Sequence, residues 1–127
     1  MIKASLVGLL IFMPLTLTAF QARAFDKGFL AYMINDFDTA LTIWKEKAKL
    51  GNATAQTNIA NLYENGNGVL KNHVLAYLWY SIAAKNGGAT AEKNKEAIER
   101  KMTKAELKQA KELMGLCLNS TYKNCGF

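Results

Sequence analysis

Residues 40–55 of this chain return, altered, 36 positions later. That offset carries Ala40 to Ala76, Ala48 to Ala84, Lys49 to Lys85 and Gly51 to Gly87. It also carries Ala53-Thr54-Ala55 to Ala89-Thr90-Ala91, and Asn58 to Asn94. Trp44 falls on Tyr80, one bulky aromatic on another. A period of this size excludes most ways of folding. It belongs to stacked supersecondary units, none of which can bury its apolar face alone.

The apolar spacing makes those units helical. Leu41, Trp44 and Ala48 recur at helical intervals, which predicts an amphipathic helix from Phe37 to Leu50. Asp36 or Asp38 can cap its start, and Gly51 ends it. Thr54 to Glu64 is a second helix, with Ala55, Ile59, Leu62 and Tyr63 on one face. Asn65-Gly66-Asn67-Gly68 breaks the chain, and a third helix from His73 to Asn86 stops at Gly87-Gly88. Upstream, Lys27 to Ile34 is short and apolar enough to pair with the Phe37 helix. Downstream, Ala89 to Met102 is helical but more charged. Thr103-Lys104-Ala105-Glu106 is a capping box that opens a last helix, with a stripe of Leu107, Ala110 and Leu113 or Met114 running to about Gly115. The expectation is an all-α fold of six helices in three antiparallel hairpins, with no competing strand pattern.

The third unit departs from the others in a telling way. Ile59, Ala60 and Tyr63 become Lys95, Glu96 and Glu99. Apolar positions turn polar where a terminal unit faces water instead of another repeat, so the array should stop there. The lysine-rich stretch from Lys93 to Lys111 reads as that solvated face, with Glu96 and Arg100 spaced to pair.

The chain begins with Lys3 and an apolar run, Ala4 to Phe20, followed by Ala22-Arg23-Ala24. That is the layout of a secretory signal peptide cleaved between Ala24 and Phe25. The competing reading, an uncleaved anchor, meets a run near the lower limit for spanning and interrupted by Pro14. The expected division is a signal over 1–24, a helical repeat domain over 25–115 and a C-terminal tail over 116–127. Removing Lys3 and Arg23 takes the net charge from +6 to about +4. The excess is mild and mixed with acid, unlike the one-signed stripe of a nucleic-acid binder. Export places the chain in the periplasm or outside the cell, with no stable membrane insertion once the signal is removed. Cys117 and Cys125 then read as one disulfide closing Leu118 to Asn124, against the alternative of two free thiols in a frayed tail.

Catalytic residue sets are missing. His73 is the only histidine, and beyond the signal the only serines are Ser81 and Ser120, neither in a nucleophile elbow. Glu92, Glu96 and Glu99 are interleaved with lysines. The expectation is no catalytic residues, no metal site and no cofactor.

Ala53 to Val69, with its continuation Ala76 to Gly87, resembles a Sel1-like repeat, a relative of the tetratricopeptide repeat. The matching features are a small residue and a tyrosine on the first helix and the loop Gly66-Asn67-Gly68-Val69. Trp79-Tyr80 and the ending Ala83-Ala84-Lys85-Asn86-Gly87 follow on the second. Leu70 stands where family members often carry proline. The resemblance implies a short right-handed solenoid whose first helices line a concave groove. It therefore points to Thr57, Asn61 and Glu64, and one unit later to Lys93, Ala97 and Arg100, as positions that hold a protein or peptide partner in the envelope. Two other functions stay open. A secreted cysteine-rich subgroup of the family, with cysteines in every hairpin, is linked to penicillin binding and suggests a cell-wall-active protein. The open ends of a short array suggest structural self-association. Trp44, Trp79, Tyr63 and Tyr80 read as packing between helices, and Gly66 and Gly68 as turn residues rather than a phosphate loop.

Overall fold

The computed structural model describes residues 26–126; the signal-like segment and its Ala24–Phe25 junction lie outside the described residues. Six helices follow in order: α1 (Lys27–Met33), α2 (Phe37–Lys49), α3 (Ala53–Asn65), α4 (His73–Lys85), α5 (Ala91–Glu99) and α6 (Lys104–Asn119). No strand occurs among the described residues. Five helix starts are capped by a side chain. Asp26, Asp36, Asn52, Asn72 and Thr103 accept from the backbone N–H of Gly28, Thr39, Ala55, Leu75 and Glu106. Of the two candidate caps for α2, Asp36 is the one used. Thr103 and Glu106 form the expected capping box.

Consecutive helices from α1 to α5 pack on one another, and α4 also receives α6, giving a tetratricopeptide-like helical solenoid. α4 is thus covered on three sides, and Val74, Ala76, Tyr77, Leu78, Trp79, Tyr80, Ile82 and Ala83 are all buried. A helix apolar nearly all round is what such a central position requires. The repeat is visible in space as well as in sequence. Ala40 and Ala76 are fully buried, as are Ala55 and Ala91, and Leu62 and Ile98. Gly51 and Gly87, also equivalent, turn the chain after α2 and α4 at φ of +82° and +86°, where a side chain would be strained. The loop after α3 closes through the Asn72 N–H to the Tyr63 carbonyl, and Leu70 points out of it, 90% exposed. The missing proline therefore costs the core nothing.

Two helices end elsewhere than their spacing suggests. α5 occupies Ala91–Glu99, shorter than Ala89 to Met102, because turns at Gly88–Ala91 and Ile98–Met102 take its ends. The expected Glu96–Arg100 pair does not form; Glu92 pairs with Lys95 instead, at 2.5 Å. α6 passes Gly115 and runs to Asn119, so the helix continues into the segment expected to be tail. Burial of Cys117 and half-burial of Leu118 reward the extra turn and outweigh the small helical cost of an exposed glycine.

Cys117 and Cys125 are disulfide-bonded, with Cα atoms 4.5 Å apart. Both are buried, and Gly126 lies directly on Leu75 of α4. A polar chain ties the tail to the units. The Tyr122 hydroxyl bonds Asn86, Asn86 donates to Gln56 at 2.9 Å, and Gln56 donates to the Ala48 carbonyl at 3.0 Å. Gln56 is fully buried yet satisfied at both ends of its amide, so it links α2, α3 and α4 without an orphaned group.

Candidate functional site

α1 is short, and its placement depends on Asp26. One carboxylate oxygen accepts from the Gly28 N–H at 3.1 Å and from Lys47 at 2.6 Å; the other accepts from the Trp44 indole N–H at 3.0 Å. Partial burial opposes ionisation, but these three donors outweigh it and hold the carboxyl below its ordinary value of 3.8. Gly28 is needed for the same contact, because a Cβ there would lie 2.4 Å from the Trp44 indole nitrogen. Tyr32 packs against Phe37 and Trp44, with ring centroids 5.5 and 5.9 Å apart.

This aromatic cluster forms one wall of a cleft of about 200 Å³, lined by Phe29 and Tyr32 of α1, Trp44 of α2, and Asn58 and Asn61 of α3. Phe29 is half exposed. The side-chain amides of Asn58 and Asn61 make no hydrogen bond among the described residues, so two amide NH2 groups and two amide oxygens stand beside an apolar wall. Such a surface can take an apolar side chain while its amides meet the partner's backbone.

The six positions suggested by the resemblance take different places. Asn61 lines the cleft. Thr57 is one turn away, its hydroxyl donating to the Ala53 carbonyl. Glu64 is engaged inside the fold. It accepts from the Tyr80 hydroxyl at 2.7 Å and lies 3.5 Å from Lys101, with its side chain 22% exposed. Burial, reinforced by the Glu64 carboxylate, pushes the Tyr80 phenol pKa far above its usual value. Lys93 and Arg100 are exposed on α5 and its end, and Ala97 is half-buried between them. Those three line none of the cavities described, so α3 alone of the two helices contributes to the cleft. Phe29, Tyr32 and Asn58 were not singled out from the sequence. Asn58 carried a usable signal, since it is repeated at Asn94. Phe29 and Tyr32 did not, because their role depends on how α1 meets α3.

Two other depressions are shallow. One, about 430 Å³, runs over α6 beside Lys104, Leu107, Lys108 and Lys111. The other, about 330 Å³, lies between Lys71, Asn72, His73 and Glu106. Among the described residues no group of three or more His, Cys, Asp and Glu side chains is placed to hold a metal. No helix among them is long and apolar enough to cross a membrane.

A short stack of helical hairpins with an open cleft beside its first-position helices defines the class of helical-repeat proteins. Residues 53–88, spanning α3, α4 and the loop between them, match the family model described as Sel1 repeat, and the chain carries a Sel1 repeat there. Sel1 repeats are generally protein–protein interaction modules. No curated protein and no solved structure matches the chain.

Proposed function

We propose that this protein is an exported adaptor that holds an extended segment of a protein partner in the cleft between α1 and α3. The observation that carries the reading is the pairing of the Phe29–Tyr32–Trp44 wall with the unengaged amides of Asn58 and Asn61. An apolar partner side chain fills the cleft, and the two amides bond the partner's main chain, which gives affinity with modest sequence demand. The resemblance extends the groove toward Lys93, Ala97 and Arg100, where exposed cations favour a partner acidic beyond the cleft. Glu64 supports the groove from within and is not a free contact. Export rests on the Lys3, Ala4–Phe20 and Ala24–Phe25 pattern, and a buried disulfide suits an oxidising compartment.

Selection from a displayed random-peptide library, followed by fluorescence anisotropy on the enriched peptides, tests this. Replacing Asn58 and Asn61 together by Ala should weaken binding about tenfold or more while the melting temperature holds. Equal affinity for parent and variant would remove the cleft as the binding site.

A further inference from the structure

Four large, exposed apolar side chains gather on one short helix. Phe29, Leu30 and Met33 of α1 and Ile34 at its C-cap are 50%, 46%, 65% and 76% exposed. The same helix turns Gly28 and Ala31 inward, so these four cover its outward side. Charge differs between the two ends of the helix. Lys27 stands at the start of α1, and Asp36 and Asp38 stand just beyond its end. Neither Lys27 nor Asp38 makes an ion pair among the described residues.

We propose that this face is a self-complementary interface, on which α1 of one chain packs antiparallel against α1 of a second copy. A two-fold axis through the middle of the helix buries the apolar centre on both sides at once. It also sets Lys27 of each chain against the acidic end of the other, twice by symmetry. A parallel pairing would put like charges together, so the charge pattern selects the antiparallel one. The four side chains expose on the order of 500 Å² per copy, and a pair reaches about 1,000 Å², the lower edge of a specific interface. The association is therefore reversible. A two-fold pairing uses the same face on both chains, so the assembly closes at two copies instead of growing into a fibre. Phe29 is shared with the cleft, but Met33 and Ile34 do not line it, so changes at those two positions test this face separately from the peptide reading.

The test is sedimentation equilibrium on the full chain, produced in and purified from an export-competent bacterial host, with its N-terminus read from the intact mass. Over about 1–500 µM the parent should pass from monomer to dimer. Met33→Glu with Ile34→Glu should weaken the dimer at least tenfold with helix content and melting temperature unchanged. Lys27→Asp and Asp38→Lys should each weaken it severalfold, and the two combined in one chain should restore it. A monomer at every concentration, whether residues 1–24 are retained or removed, overturns the proposal. So does a dimer indifferent to the Met33 and Ile34 changes. Failure of the combined reversal to recover overturns the antiparallel arrangement.

Discussion

Asp26 gathers a lysine, an indole and a backbone donor, and the attachment of α1 depends on it. Its lowered pKa has a direction in stability. The ionised group is favoured in the folded state, so its contribution is complete above the ordinary value of 3.8 and is lost as pH falls through the lower folded value. An acid titration followed by near-UV circular dichroism should therefore show the aromatic cluster loosening below about pH 4. Asp26→Asn should show a weakened cluster already at neutral pH, and an identical titration in that variant would refute the assignment. Gly28→Ala drives a methyl into the Trp44 indole and should cost about 1–3 kcal/mol in thermal unfolding. Glu64 shows where reading by residue type stops. Its spacing puts it on the open side of α3, which suggests that reversing its charge is structurally harmless. The Tyr80 hydroxyl reaches it from α4, a contact set by the crossing of two helices and invisible in linear spacing. Glu64→Lys should therefore lower the melting temperature, with a loss of about 1–3 kcal/mol from the abandoned phenol.

At the scale of elements, the caps and breakers were the legible signals. Asp36, the Thr103–Glu106 box, Gly51 and Gly87 act where the sequence places them, because each works through its nearest backbone. α6 was less legible. Gly115 looks like a terminus, but the helix continues because Cys117, two residues on, is buried beneath it. That reward comes from tertiary contact and leaves no local mark. Gly115 itself has open space around it, so Gly115→Ala should stabilise the protein by about 0.5–1 kcal/mol, seen as a higher urea midpoint. Converting Cys117 and Cys125 to Ser should lower that midpoint by the equivalent of about 2 kcal/mol. The loss should concentrate at the end of α6 and in the tail, where hydrogen exchange would locate it.

For the whole molecule, the fold was readable because the 36-residue offset is a statement about stacking, and stacking is what Ala40/Ala76 and Leu62/Ile98 do. The cleft was only partly readable, since it forms between α1 and α3 and α1 has no counterpart at that offset. The relay from Tyr122 through Asn86 and Gln56 to Ala48 carries a consequence for length. Leu75 and Asn86, on which Gly126 and Tyr122 dock, both lie within residues 53–88. A duplicate of that segment would bring its own Gln56 to the Ala84 carbonyl, the equivalent of Ala48, and would offer the tail the same seat one step further on. The terminal segment is therefore a portable lid, and the scaffold can be lengthened in whole modules without redesigning its end.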